Sequence, residues 1–459
     1  MKTGAACTRA ACIAGCIAGF LAAGATSPAA AVTDAERTDV NKQFREAFDA
    51  KRYSEALPFA ERVVAMTEEQ YGKDNRALVN PLTNLGTVHY RLKDYPAAEK
   101  EYQRSVEILE ATAGNADRQL LRPLQGLGSA HFAEKEWVDA SVALKRAIDL
   151  SRNVDGLFNI QQLQILEPLI ESYVQLDLQQ EAEKEQKYAL LVAETAYGRM
   201  DVRMLKPLDR YGRWLEKIGR YTSARLLYAR ALTIAEQTSG RGTPLAVDPL
   251  LGIARSYRLE FVNGTEEAPS MPDSFNNAGD LTVAPVDGQR LNPDGERALR
   301  LALQAIDREK PVNHAKRGET FVELADWFMS AGALSRGIEM YKEAWKELTL
   351  AGSTTVLSEP RLLAYRPPPS SVKRSKLAAD ESEEKFVEVR FTVTKEGRTE
   401  NVEAGESDAS ESLQKSVVSS MKKARYSPRF ENGEPVDTQG FTVREKVLVK
   451  AKQQQASAS

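Results

Sequence analysis

Pairs of amphipathic stretches recur along the first half of the chain, each with apolar residues at the spacing of a helix face. In the second pair, Leu82, Leu85, Gly86 and His89 share one face, followed by Ala98, Tyr102 and Ser105. The third pair repeats this with Leu124, Leu127, Gly128 and His131, then Ala140, Leu144 and Ala147. The fifth carries Leu208, Tyr211, Gly212 and Leu215, then Ala224, Tyr228 and Ala231. The register is strict: Ala56, Ala98, Ala140, Ala182 and Ala224 stand 42 residues apart. Seven positions after each stand Val63, Ser105, Ala147, Ala189 and Ala231, and three before each stand Tyr53, Tyr95, Trp137, Gln179 and Tyr221. Small residues flanked by bulky ones let helices cross closely, and a fixed period of this length marks a stacked array of helical pairs. Glycine inside a helix costs ~1 kcal/mol relative to alanine. Gly86, Gly128 and Gly212 are therefore expected where a partner helix approaches closely.

A Pro-Leu pair also recurs, at Pro81, Pro123, Pro168, Pro207 and Pro249. Either Asn80 and Asp248 cap helices that begin at the proline, or each helix begins a turn earlier and the proline bends it. The period breaks after Tyr257: Glu266 stands where the next alanine belongs, and the helical phase resumes at Ala298 and Ala305, displaced by 32 residues. The Pro-, Gly- and Asn-rich stretch between reads as an insertion separating the two helices of a sixth pair. A seventh pair follows, with Phe321, Leu324, Ala325 and Phe328, then Gly337, Tyr341 and Ala344. Pro367-Pro368-Pro369 with serines and lysines mark a linker. The hydrophobic period then falls to two, the period of a half-buried strand, from Phe386 to Val393. Arg398 to Glu403 reads as a second strand, Ser410 to Lys423 as a helix with Leu413, Val417 and Met421 on one face, and Thr438 to Lys450 as a last strand.

The expected organisation is an N-terminal signal segment at 1–31 and repeats one to five with the first helix of repeat six at 32–262. An insertion at 263–295, the second helix of repeat six with repeat seven at 296–352, and a linker at 353–380 follow. A β-β-α-β domain at 381–453 and a tail at 454–459 complete the chain. The fold class is mainly α, a helical-pair solenoid followed by a small α+β domain. The signal reading rests on Lys2 and Arg9, the small apolar run from Ala10 to Ala25, and Ala29-Ala30-Ala31 as a cleavage site. All three cysteines, Cys7, Cys12 and Cys16, lie within it, so cleavage would leave no thiol for catalysis, disulfides or metal binding. Ile13-Ala14-Gly15-Cys16 also permits lipidation at Cys16, the alternative to a freely exported chain.

The formal charge of −3 is evenly mixed, which argues against a nucleic-acid or anionic-membrane binder. His89 and His131 occupy one repeat position and are expected to pack at helix crossings; with His314 they are the only histidines. Metal-ligand spacing, a nucleophile triad and a glycine-rich phosphate loop are all missing from the sequence, so a non-enzymatic chain without cofactors or a small-molecule substrate is expected.

The alanine and aromatic positions resemble the tetratricopeptide repeat, in a 42-residue subtype rather than the usual 34. In that register the polar positions lining an inner groove include Arg91, Arg213, Lys217, Arg255 and Arg258, a basic set suited to an acidic peptide or a C-terminal carboxylate. The C-terminal domain resembles that of TonB-type energy transducers. The resemblance rests on Val389-Arg390-Phe391-Thr392-Val393, Gly397-Arg398, Val402, Ala424-Arg425-Tyr426-Ser427-Pro428 and Asn432-Gly433-Glu434-Pro435-Val436. It implies that an outer-membrane receptor, or another envelope protein, adds a peptide as a strand to the sheet edge. The expected edge is the last strand, around Phe441, Val443, Val447 and Val449. The leading expectation is a periplasmic interaction adaptor. The alternatives are an energy transducer held in the inner membrane by an uncleaved N-terminal segment, and a scaffold whose C-terminal domain forms a homodimer.

Overall fold

The computed structural model describes residues 33–264, 291–368 and 382–450, so the signal segment, residues 265–290 of the insertion, residues 369–380 of the linker and the tail lie outside the described residues. Contacts divide the chain into two compact units that part between Leu150 and Ser151. Seven helical pairs follow one another: α1 (Asp34–Asp49) with α2 (Tyr53–Tyr71), α3 (Val79–Arg91) with α4 (Tyr95–Ala113), and α5 (Leu121–Glu134) with α6 (Trp137–Val154). Next come α7 (Leu163–Gln175) with α8 (Gln179–Tyr197), α9 (Leu205–Lys217) with α10 (Tyr221–Ser239), α11 (Val247–Asn263) with α12 (Pro293–Asp307), and α13 (His314–Ser330) with α14 (Leu334–Leu350). Among the described residues no helix is long and apolar enough to cross a membrane.

In the first unit Ala56, Ala98 and Ala140 are fully buried. Tyr102 reaches across from α4, and a Cβ on Gly86 would lie 3.0 Å from its ring. Ser105, the polar exception among the small residues, is fully buried and bonds Thr83 at 3.0 Å and the Val79 carbonyl at 3.2 Å. A second ladder explains the eight residues beyond a 34-residue period. Gly72, Gly114, Gly156 and Gly198 end the second helices at positive φ. Asn75, Asp117, Asn159 and Asp201 then each accept a hydrogen bond from the backbone N–H two residues on, opening a short 3-10 turn before the next helix. The helices thus begin before their prolines, with Pro81 the third residue of α3 and Pro168 inside α7.

In the second unit Ala182 and Ala224 continue the ladder, fully buried. The Tyr228 ring is clamped between α9 and α11: a Cβ on Gly212 or on Gly252 would fall 2.6 Å from it. Although 26 residues intervene outside the described chain, α11 and α12 share one core with Leu250, Ala254, Ala298, Ala302, Ala305 and Trp327.

The C-terminal domain is built from β1 (Arg361–Ala364), β2 (Ser382–Val393), β3 (Thr399–Ser407), α15 (Glu411–Met421), β4 (Arg425–Ser427), β5 (Arg429–Glu431), β6 (Glu434–Val436) and β7 (Thr438–Lys450). The main sheet has the antiparallel order β3-β2-β7, and α15 packs Leu413, Val417 and Met421 against Val387, Val389, Phe391 and Val393. Four short strands, β1, β4, β5 and β6, therefore add to the expected β-β-α-β order. The stretch read as linker also starts differently: its residues 361–364 form β1, which pairs with β4 in the register Arg361↔Ser427 and Leu362↔Tyr426.

The domain is packed onto the last helical pair. Phe430, from the β5–β6 hairpin, is buried against Val322, Ala325, Tyr341, Ala344 and Leu348, and its ring stacks on Trp345. Lys342 bonds Glu434 at 2.5 Å. Asp326 of α13, 2% exposed, accepts from the Tyr341 hydroxyl at 2.5 Å and from Arg361 Nη2 at 2.9 Å. A stacked array must cover the apolar face of its last repeat, and here the C-terminal domain covers it.

Candidate peptide-binding surfaces

The sheet has two outer strands of different character. β3 is interrupted by two register shifts against β2, between Val387 and Val389 and between Arg390 and Thr392. It carries exposed Glu400, Glu403 and Glu406. Bulges and charges are the usual devices that keep an edge from pairing. β7 pairs with β2 at every position from Ser382↔Lys450 to Phe391↔Phe441 without a shift. Among the described residues no strand pairs with its other side. The last strand runs Thr438–Lys450, as expected; one register shift, between Phe391 and Val393 of β2, breaks its start, and from Phe441 to Lys450 it is a straight edge.

The four residues named from sequence lie on one face of that edge. Val447 is buried in the domain core, and Phe441, Val443 and Val449 pack against it half-buried. They line the face that α15 covers, while the outward backbone groups of β7 supply the edge itself. Phe441 also closes an aromatic group with Phe391 and Tyr426, ring centroids 5.4–5.8 Å apart, so Tyr426 serves the core. Sequence reasoning passed over Glu445, which stands in the same row between Val443 and Val447. It lies beside Tyr365, and burial pushes its carboxyl above the usual range. The signal was the acidic residue interrupting an apolar alternation. On the opposite face, Arg444 lies 3.5 Å over the Phe386 ring and Lys446 bonds Glu384 at 2.8 Å.

The basic residues of the array are placed differently. Arg91 belongs to the first unit and is exposed, whereas the other four belong to the second. There Arg213 bonds Asp209 at 2.8 Å, and Lys217 lies 3.9 Å from Glu171, both cations exposed. Arg255 is largely buried, bonding Glu216 at 2.8 Å with Glu323 at 3.8 Å. Arg258 faces Glu323 at 3.4 Å and Asp326 at 3.9 Å. Burial pushes the Glu216 carboxyl up, against the opposing pull of Arg255. The positive charge of this set is therefore answered by carboxylates from α7, α9 and α13. The acids that answer it stand 39 to 68 positions away in the sequence, or a turn away on the same helix, and apart from Glu171, one period before Arg213, they follow no repeat position.

His131 and Glu99 with Glu136 form a group whose ligand atoms lie close enough to share a cation. The His131 Nδ1 sits 2.7 Å from Glu136 and 4.0 Å from Glu99, and His89 repeats the arrangement with Asp94 at 3.5 Å. His131 thus ties the end of a first helix to the start of its partner, and His89 stands beside Asp94 at the same repeat position without a hydrogen bond.

Comparison with known families agrees with this geometry. Residues 47–111 and 78–153 match one tetratricopeptide repeat model, and residues 210–245 a second. Residues 375–444 match the model of the Gram-negative bacterial TonB protein C-terminal. The chain thus carries tetratricopeptide repeats followed by a domain of the TonB C-terminal type, both of them protein-interaction folds. Similar solved structures include the kinesin light chain TPR-like repeats of Podosopora anserina, at 15% identity over 44% of this chain and 96% of that one (TM-score 0.40). They also include the apo form of RapI, at 14% identity over 69% and 99% (TM-score 0.40). BtubC from P. vanneervenii matches at 14% identity over 73% and 96% (TM-score 0.36). No curated protein matches the chain.

Proposed function

We propose that the chain is a periplasmic adaptor that captures an extended peptide of an outer-membrane receptor, or of another envelope protein, along β7. The observation that carries this reading is the outward-facing edge of β7, unshifted from Phe441 to Lys450, in a domain of the TonB C-terminal type. Strand addition draws affinity from main-chain hydrogen bonds and specificity from alternate side chains. The array supports the reading by holding the domain through Phe430 and Asp326. A peptide on β7 would then sit at a defined place relative to the last helical pairs. A second partner, acidic in character, would meet the array at exposed Arg213 and Lys217, in exchange for their present carboxylates.

Hydrogen–deuterium exchange of the full chain, with and without synthetic peptides copied from periplasmic segments of envelope receptors, tests this. The expected result is slowed exchange along Thr438–Lys450. Protection confined to β3, or to the array, would count against the reading.

A further inference from the structure

We propose that β7 is a selective edge, built to refuse a second copy of itself and to accept a foreign strand that carries a hydrogen-bond donor within an apolar row. The proposal rests on the reading of β7 as the docking edge and adds the chemistry of what docks there.

Side chains of neighbouring strands meet across an edge at ~5 Å between Cβ atoms. A strand laid on the free side of β7 therefore places its own alternate residues against Val443, Glu445 and Val447 on one face. On the other face its residues meet Arg444 and Lys446. The apolar row is incompletely covered: Val447 is buried, but Phe441, Val443 and Val449 are only half-buried. Apolar residues opposite them complete their burial. Glu445 sits in the middle of this row, half-buried and beside Tyr365. An apolar residue opposite it would strip water from a carboxylate without replacing the hydrogen bonds, and an acidic residue would repel it. A threonine, serine, asparagine or lysine supplies a donor. On the outer face Lys446 already shares Glu384, and Arg444 lies over Phe386. Acidic residues there add a smaller attraction.

The same row explains why self-pairing is disfavoured. Two copies of β7 running antiparallel about a two-fold axis at Glu445 would match Val443 with Val447 and Phe441 with Val449. That is the pairing the apolar pattern invites. It also sets Glu445 against Glu445 and Arg444 against Lys446, like charges directly opposite, which destabilise an edge. Moving the axis to residue 444 sets Arg444 against itself, and moving it to residue 446 does the same for Lys446. Each of the three central registers thus meets like charges. Removing Glu445 frees the first register of its most buried repulsion.

The test uses the full chain and labelled peptides built around Val-Glu-Thr-Glu-Val, whose symmetry serves either strand direction. Comparison peptides are Val-Glu-Glu-Glu-Val and Val-Lys-Thr-Lys-Val in the same flanks. Anisotropy measures affinity and hydrogen exchange reports protection of β7. The threonine-centred peptide is expected to bind roughly fivefold more tightly than the glutamate-centred one, and roughly twofold more tightly than the lysine-flanked one. Glu445→Gln should erase the first difference while keeping the fold. Glu445→Val should do the same and convert a monomer to a dimer in sedimentation. Equal protection of β7 by all three peptides, or discrimination unchanged in Glu445→Gln, would overturn the proposal while leaving β7 as the docking edge. Failure of every peptide to protect β7 would overturn that reading as well.

Discussion

The crossings inside the array and the junction between array and C-terminal domain solve the same packing problem by different means. At the α9–α10 and α10–α11 crossings the close approach is made by Gly212 and Gly252 on either side of the Tyr228 ring, with Ala224 fully buried. Ion pairs are buried there too, Arg225–Glu260 at 2.7 Å and Arg255–Glu216 at 2.8 Å, but each links helices of the array to one another. At the junction one aromatic, Phe430, enters a slot in the last pair, and beneath it a buried carboxylate and phenol meet the guanidinium of Arg361, whose side chain is 35% exposed. Apolar crossings repeated every 42 residues spread stability over many modest contacts. A polar node concentrates it, because losing the Asp326 carboxylate strands the fully buried Tyr341 hydroxyl without water or partner.

The strongest test of this contrast is Asp326→Ala. Arg361 and the Tyr341 hydroxyl would lose their shared acceptor, at a cost of about 4 kcal/mol. Burial and the Asp326 carboxylate hold the Tyr341 hydroxyl well above its usual pKa, so it stays protonated and needs that acceptor. The expected outcome is release of the C-terminal domain before the array melts. Trp345, stacked on Phe430, reports it by fluorescence. Exchange at Arg429–Glu431 and Glu434–Val436 should rise in step. Phe430→Ala should release the same elements at a cost of about 3 kcal/mol. If array and domain instead melt together in both variants, the junction is not a separable node.

Gly212→Ala acts on the other side of the comparison, with a smaller effect. The new methyl group would collide with the Tyr228 ring, and overpacking of this kind costs about 2 kcal/mol. Exchange in α9 and α10 is expected to rise while the β5–β6 hairpin keeps its protection. Loss of protection at the hairpin would show that stability is not compartmented in this way.

The two regions also differ in how far the sequence foretold them. The alanine ladder is a one-dimensional pattern, and Ala56, Ala98, Ala140, Ala182 and Ala224 are all fully buried. The glycine approaches followed from the same period. Even the missed ladder of Asn75, Asp117, Asn159 and Asp201 was present in the sequence, because local caps repeat with the repeat. The junction has no period. Asp326 and Arg361 lie 35 residues apart and meet only because β1 pairs with β4, itself 66 positions from Arg361. A proline- and lysine-rich composition read as linker concealed that strand. The docking edge falls between these cases. Alternation located β7, but the order β3-β2-β7 that leaves it outermost comes from long-range pairing, as does the half-burial of Glu445.

Glu445 gives the finest test, since it places a buried-charge problem inside an otherwise apolar row, joining the two styles in one strand. Its carboxyl is pushed up by burial, with Tyr365 offering partial relief. The other titrating neighbour is Tyr426, whose hydroxyl is pushed up to about 12 and stays neutral. A carboxyl whose folded pKa exceeds its unfolded value favours the folded state when protonated. Its contribution is present in full below the unfolded value of about 4.3 and is lost as pH rises through the higher folded value. The native domain should therefore lose stability between mildly acidic and neutral pH, and Glu445→Gln should not. At pH 7 the glutamine variant is expected to melt roughly 2 °C higher in the domain transition, and the difference should vanish near pH 4. A constant difference across that range would mean that Glu445 acts through packing rather than charge, and would remove the electrostatic basis for the selectivity of β7.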